Sequence, residues 1–164
     1  LESNLFLKAQ MVGSEGVVIE QVAFTQVTIG AEITDAMLTP AWVTSDWRRV
    51  RAQHAKVDLL GQGWRIPSPA GYVLTSQLER VFSNNKRVNQ LVLSDGLATI
   101  SIFIEPYLLE RSEYEPQGAA RSGSVNIFGI KVANFWLTVL GEVPAATLEQ
   151  LAQAIQYVPP TSAR

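Results

Sequence analysis

The stretch Gln90 to Glu105, QLVLSDGLATISIFIE, decides the fold of the larger part of this chain. Asp95 and Gly96 stand between two runs of alternating apolar residues, which is the strongest short-range signal for a β-hairpin with a two-residue turn. With that turn, Leu93 faces Ala98 across the hairpin. One face of the hairpin is then apolar and is predicted to be core. Its members are Leu91, Leu93, Ala98, Ile100, Ile102 and Ile104.

The opposite face of the same hairpin mixes apolar and polar side chains. Its members are Val88, Gln90, Val92, Leu97, Thr99, Ser101 and Phe103. This face is too apolar for a plain solvent surface and too polar for a core, so it is predicted to be a docking surface. The alternative is that another strand, helix or loop of the same chain covers it.

Five segments of the C-terminal part have strand patterns, and one helix follows them. The strand candidates are residues 72–80, 88–94, 97–105, 125–132 and 135–143. Apolar residues at helical spacing predict a helix over residues 147–155. Thr147 and Gln150 would form its capping box, and Pro159-Pro160 would end it. The pattern predicts an α+β domain, an antiparallel sheet of about five strands with one C-terminal helix packed on one face.

A second hairpin is predicted at the N-terminal end, with strands over residues 5–12 and 17–29. Two strands alone are marginal in water, so something else must bury this hairpin. We therefore expect the chain to be a fragment of a longer precursor, and we expect its hairpin to pair with a second copy or another chain, giving a homodimer or higher oligomer.

Breaker residues divide the chain into three predicted regions. Residues 1–34 hold the hairpin, residues 35–63 form a connector with turn signals at Thr39-Pro40 and at Gly61-Gln62-Gly63, and residues 64–164 form the compact domain.

Composition excludes several classes of function. The net charge of −2 and the pI near 5.4 argue against nucleic-acid binding, which needs a surplus of basic residues. No apolar run approaches the ~20 residues of a membrane span. The chain has no cysteine, which removes disulfides and thiolate chemistry.

Catalytic constellations are also missing from the sequence. The single histidine, His54, lies in the predicted connector, away from any Ser-His-Asp arrangement, and with Asp58 it would supply only two metal ligands. Glu110, Glu113 and Glu115 have the spacing of a charged loop. We predict no enzyme activity, no cofactor and no metal.

The predicted connector holds the one basic cluster of the chain. Its members are Arg48, Arg49, Arg51, His54 and Lys56, and Trp42 and Trp47 lie close by in the sequence. Basic residues beside aromatic ones suit contact with lipid phosphates. The alternative is a solvated linker whose tryptophans pack onto neighbouring domains.

Residues 107–124 form the longest predicted loop of the compact domain. Loops of this length are usually functional or disordered. A functional loop here would clasp a peptide, with Arg121 in its basic half; the alternative is a connection without a role.

Several of these segments together resemble the C-terminal domain of the MucB/RseB family. They are SDGLATISIFIEP at residues 94–106, the loop with Gly118, Arg121 and Gly123, LTVLGEVP at residues 137–144, and the helix at residues 147–155. Upstream, Trp64 and the segment SPAGY at residues 68–72 resemble the family's tryptophan and its Leu-Pro-x-Gly-Phe segment, with Ser68 in place of leucine. Residues 5–33 resemble the last strands of the family's lipoprotein-carrier-like N-terminal domain, whereas residues 35–63 match poorly.

The resemblance implies a periplasmic negative regulator of the sigma-E envelope-stress response. Such a protein binds the periplasmic domain of the anti-sigma factor, RseA or MucA, protects it from regulated proteolysis, and releases it on envelope lipid signals such as lipopolysaccharide. Candidate partner-binding residues are Val88, Val92, Leu97, Phe103 and Arg121, and candidate lipid-binding residues are Arg48, Arg49 and Arg51. Two alternatives are a lipid or lipoprotein carrier of the periplasm and a structural domain that sets dimer geometry.

Overall fold

The computed structural model describes residues 3–13, 15–43, 45–47, 53–81, 86–108 and 117–160. By contacts the chain divides into two compact units, Leu1–Arg51 and Ala52–Arg164. The first unit contains the antiparallel pair β1 (Lys8–Val12) and β2 (Val18–Ala23) and the short helix α1 (Asp35–Leu38). Nearly all residues of this hairpin are exposed, and its predicted pairing with a second copy stays a prediction.

The second unit is built on a seven-stranded sheet. Its elements in chain order are β3 (Gln53–Lys56), β4 (Trp64–Arg65), β5 (Val73–Val81), β6 (Arg87–Ser94), β7 (Thr99–Pro106), β8 (Gly118–Ser122), β9 (Val125–Val132), β10 (Phe135–Gly141), α2 (Ala145–Ala154) and β11 (Gln156–Tyr157). The strand order of the large sheet is β3-β5-β6-β7-β10-β9-β8, and every pairing is antiparallel. β4 and β11 form a separate two-stranded sheet.

The predicted α+β architecture is confirmed, and its number of strands is corrected from about five to seven. β3 and β8 are the two additions. Their sequences, QHAK and GAARS, have no apolar alternation, so their strand conformation comes from pairing with β5 and β9. β3 and the buried Leu59, which is 1% exposed, come from the predicted connector and belong to the second unit by their contacts. The domain limits at residues 34 and 63 stay a prediction.

The core lies between one face of the sheet and α2. The apolar face predicted for the central hairpin is buried, with Ile100 and Ile102 at 0% exposure. α2 adds Leu148, Leu151 and Ala152 to the same cluster. Burying aliphatic side chains of this size stabilises the fold by about 1.5–3 kcal/mol each.

The register of the central hairpin differs by two residues from the predicted one. Leu93 pairs with Ile100 and Ser94 with Thr99, so the loop has four residues instead of two. The Asp95 side chain causes this, because its Oδ1 accepts hydrogen bonds from the Leu97 and Ala98 amides at 2.9 and 2.7 Å. A shift of two residues keeps every side chain on its predicted face, since strand alternation has a period of two.

Both predicted ends of the C-terminal helix were wrong. α2 starts at Ala145 with Pro144 at the N-cap and no side-chain cap, so Thr147 and Gln150 form no capping box. It ends at Ala154, well before the two prolines, because Ile155 is extended and Tyr157 continues into β11. There the Tyr157 ring packs 4.8 Å from the Trp64 ring, and this contact favours a strand over another helical turn.

Gly63 supports the two-stranded sheet of β4 and β11. Its φ of +100° is the left-handed region that disfavours a Cβ, and a Cβ there would collide with the Val158 carbonyl. The Gly63 carbonyl itself accepts a hydrogen bond from the Val158 amide at 2.8 Å.

We predict that Gly63→Ala destabilises the fold by more than Gly96→Ala. Gly96 also has a positive φ, +92°, but it has open space around its Cβ position. The free energy of unfolding of Gly96→Ala should therefore fall only by the cost of the left-handed backbone conformation, about 1–2 kcal/mol. The collision at Gly63 adds about 1–3 kcal/mol. Urea denaturation of both variants measures the difference, and equal losses would contradict the collision.

Candidate interaction surface

The seven-stranded sheet has a second face, opposite the one that packs on α2. We call it the outer face and define it by the strand registers as Ser76, Leu78, Arg80, Val88, Gln90, Val92, Ser101, Phe103, Glu105, Ile127, Trp136, Thr138 and Leu140. It is neither dry nor fully exposed. Val92 and Phe103 are half-buried, whereas Val88 and Trp136 are 4% and 6% exposed.

The structure brings together most of the predicted partner-binding residues. Val88, Val92 and Phe103 share the outer face, and Leu97 is 100% exposed in the loop at the end of β6 and β7. Val88 is buried, so its side chain offers little free surface.

Arg121 does not belong with this group. It was predicted in the loop of residues 107–124, but it lies in β8, because pairing with β9 orders this segment. Its partner Asn126 has the strand parity of the face that packs on α2, as does the core residue Phe128. The Arg121 Nε donates to the Gly123 carbonyl at 2.8 Å. The first part of the predicted loop, residues 109–116, lies outside the described residues and contains all three of its glutamates.

Two buried polar atoms on the outer face have no hydrogen-bond partner among the described residues. They are Arg80 Nε and Gln90 Oε1. Arg80 is opposite Val88 and Gln90 is opposite Leu78, so the two side chains lie diagonally on neighbouring strands. The other end of the Gln90 amide, Nε2, donates to Ser101 Oγ at 3.4 Å. A buried polar atom without a partner costs about 1–3 kcal/mol of stability.

An aromatic cluster occupies the end of the outer face near β10. The Tyr107 and Trp136 rings are 6.4 Å apart, and Lys131 Nζ lies 3.9 Å from the centre of the Tyr107 ring. Lys86 and Glu105 form an ion pair on the same face. None of these contacts was predicted. The pairing of β7 with β10 brings Tyr107 close to Trp136, and the pairing of β10 with β9 places Lys131 opposite Trp136. The ion pair of Lys86 and Glu105 lies across the β6–β7 hairpin.

The predicted lipid-binding residues Arg48, Arg49 and Arg51 lie outside the described residues. The tryptophans beside them are described. Trp42 and Trp47 stack with ring centroids 6.3 Å apart and are 63% and 62% exposed. The two rings therefore present apolar surface at the outside of the first unit.

His54 is part of the large sheet. It lies on β3 opposite Arg80, because the segment after Arg51 pairs with β5. Within the ranges that the structure describes, no group of three or more His, Asp or Glu residues has the geometry to hold a metal ion. No helix of the described residues is long and apolar enough to cross a membrane.

The Asp95 carboxylate fixes the loop that presents Leu97. Hydrogen bonds from the Ala98 and Leu97 amides, and from the Tyr72 hydroxyl, hold the pKa of Asp95 below its ordinary value of 3.8. Burial, together with the charge of Asp95, raises the pKa of the Tyr72 phenol. The loop is therefore held by a charged acceptor.

We predict that Asp95→Asn flattens the acid dependence of stability. Because the pKa of Asp95 is lowered on folding, its contribution is fully present above the unfolded value and is lost as the pH falls through the folded one. Asparagine keeps the Oδ1 acceptor and removes the titration. Urea denaturation at pH 6 and at pH 3 should show a smaller loss for the variant than for the unaltered chain; parallel losses would contradict the assignment.

Comparison with known proteins agrees with the observed fold. The protein-family model of the MucB/RseB C-terminal domain matches residues 59–156. The family model of the MucB/RseB N-terminal domain matches residues 1–42. A curated relative, the sigma factor AlgU regulatory protein MucB of Pseudomonas aeruginosa, is 28% identical over an alignment of 162 residues that covers 94% of this chain and 49% of the relative. The chain thus spans about half the length of the curated relative.

Solved structures of MucB resemble the chain as well. One, described as MucB in complex with MucA(peri), has a TM-score of 0.65 and 28% identity, over 92% of this chain and 52% of that one. Another, the Pseudomonas aeruginosa MucA/MucB complex, has a TM-score of 0.64 and 26% identity, over 92% of this chain and 50% of that one. The C-terminal model alone matches more than half of the chain, so the chain belongs to the MucB/RseB family.

Proposed function

We propose that the protein carrying this chain binds the periplasmic domain of a MucA- or RseA-type anti-sigma factor and so restrains a sigma-E-type envelope-stress response. The observation that carries the proposal is the similarity, over nearly the whole chain, to MucB structures that contain MucA. The periplasm follows as the place of action, since that is where the bound domain of MucA lies. The relatives are regulators, so the proposed role is a binding role without catalysis.

Binding alone suffices for such regulation. A protease acts on the free anti-sigma factor, and occupancy by the regulator lowers that fraction by mass action. A signal ligand that binds the free regulator more tightly than the complex must weaken the complex by the same factor, because the two affinities are linked. The regulator therefore needs two coupled surfaces and no reactive group.

The outer face and the loop with Leu97 are the proposed contact surface in this chain. Val92 and Phe103, both half-buried, give it apolar area. Residues 64–164 would act as the interaction domain, and residues 1–34 as the part belonging to the N-terminal domain.

We predict that Leu97→Asp and Phe103→Asp weaken binding of the MucA periplasmic domain about tenfold or more. Each change places a charge in the proposed contact surface, while neither side chain belongs to the core cluster. Isothermal titration with the full-length protein measures the affinities. Val158→Asp is the matched control, because Val158 is 52% exposed next to the small β4–β11 sheet.

Ile100→Asp separates the two faces of the same strand. Ile100 is 0% exposed in the core, so a charge there should unfold the domain. Equal unfolding by Phe103→Asp, followed by circular dichroism, would mean that the outer face is itself core. Binding that is unchanged in the folded variants would remove this face from the contact surface.

A lipid-binding role is the second proposal, favoured by the exposed stacked pair Trp42 and Trp47 beside the arginine cluster. Such aromatic pairs suit the boundary between lipid headgroups and acyl chains.

We predict that changing Arg48, Arg49 and Arg51 together to Ala lowers lipopolysaccharide binding by the full-length protein. Vesicle co-sedimentation measures the loss, with Lys8→Ala on β1 as a control for a lost positive charge. Unchanged binding would exclude the cluster.

A further inference from the structure

One stretch of the edge of β5 has no strand beside it among the described residues. β5 runs from Val73 to Val81, and β3 pairs only with its residues 78–81. Throughout the described part of the chain, no strand pairs with residues 73–77 on that side. The backbone N–H and C=O groups of such an edge form a template on which an extended peptide can add as another strand.

This free edge lacks the usual chemical protection. Edge strands commonly carry charges or proline that prevent unwanted pairing. The two outermost strands follow the rule, since β3 contains His54 and Lys56 and β8 contains Arg121. Residues 73–77, VLTSQ, contain neither a charge nor a proline, and Val73 is 63% exposed.

A groove runs along the same edge. Its volume is about 360 Å³, and its lining residues are Lys56, Val57, Leu74, Thr75, Ser76, Gln77 and Leu78. Lys56 is the one charged residue in that lining. Of the acidic residues close in sequence, Glu79 pairs with Arg87, and the Asp58 Oδ1 accepts a hydrogen bond from the Gly61 amide. The groove therefore favours a segment with a carboxylate close to Lys56.

The length of the free edge selects the kind of occupant. A stretch from residue 73 to 77 is about 17 Å long at the rise of a β-strand. That is a small contact beside the ~800 Å² that each partner buries in a standard interface. β3 lies at one end of this free edge. A turn lies at the other end, where the Tyr72 amide donates a hydrogen bond to the Pro69 carbonyl at 3.0 Å. A second folded copy would bring its own β3 and turn into the same space.

A bulge in β5 restricts the occupant further. The register with β6 shifts between Leu74 and Ser76, and the Thr75 hydroxyl donates to the Val92 carbonyl at 3.1 Å. A bulge bends the strand, so a long flat strand of another sheet fits poorly here. A short segment of a flexible chain can follow the bend and leave the sheet at either end.

We propose that residues 73–77 of β5 bind an extended segment of the anti-sigma factor's periplasmic domain as an added strand, with an acidic side chain of that segment beside Lys56. This inference rests on the proposed function and assigns the place and conformation of the bound segment. The site adjoins the loop that carries Leu97, because Val73 is opposite Ser94, the residue before that loop. A segment held in the sheet cannot at the same time occupy the cleft of a protease.

Hydrogen exchange tests the strand directly. The experiment uses the full-length protein that carries this chain, with and without purified MucA periplasmic domain. Amides of residues 73–77 that point away from β6 should exchange at least tenfold more slowly in the complex. Amides of β9 should not change, because both edges of β9 are already paired.

Two charge variants and two matched controls accompany this measurement. Leu74→Lys, at a side chain that is 48% exposed, and Lys56→Glu should each weaken binding about tenfold, the latter most strongly at low salt. Ser122→Lys places the same charge on the β8 edge, and Lys8→Glu makes the same charge reversal on β1. Both controls should bind within about twofold of the unaltered protein, and all four variants should remain folded.

The outcomes separate this inference from the proposed function. If the unaltered protein does not bind the MucA domain, both fail. If it binds while residues 73–77 gain no protection and Leu74→Lys binds normally, the strand addition is overturned and the proposed function stands. Protection that appears without MucA and grows with protein concentration would assign the edge to a second copy and would also overturn it.

Discussion

The pairing of β7 with both β6 and β10 is the constraint on which the domain depends. β7 lies at the centre of the sheet, and its alternate residues Ile100, Ile102 and Ile104 are almost completely buried. Gly141 fits this pairing closely, because a Cβ there would lie 2.5 Å from the Thr99 carbonyl oxygen. A slip by one residue would exchange the core face of β7 for the outer face, so the same pairing fixes both.

The two faces of β7 therefore have different roles. The isoleucines hold the core together, while Phe103 and Ser101 between them stand on the proposed contact surface. Because β7 is held on both sides, the outer face is presented on a rigid support, which lowers the entropy that a partner must overcome on binding. The free edge of β5 adds a second kind of contact, in which the backbone, not the side chains, supplies the hydrogen bonds.

The sequence predicted the faces well and the boundaries poorly, for physical reasons. Apolar alternation in β6 and β7 identified the core face, and the prediction survived the register error because the shift was of two residues. β3 and β8 were missed since short polar or small-residue strands take their conformation from a neighbour. Arg121 was misplaced for that reason. The free edge of β5 has no local signal at all, because it exists only where β3 stops.

The small sheet of β4 and β11 has a consequence for how the protein is made. β4 precedes almost the whole large sheet in sequence, and β11 follows the last helix. The pair therefore closes a loop that contains nearly the entire domain, and contacts of such long range form slowly. A chain that emerges from a ribosome or an export channel cannot close the domain until its final strand has emerged. Until then Trp64 lacks the Tyr157 ring that packs against it, so this part of the apolar packing stays incomplete.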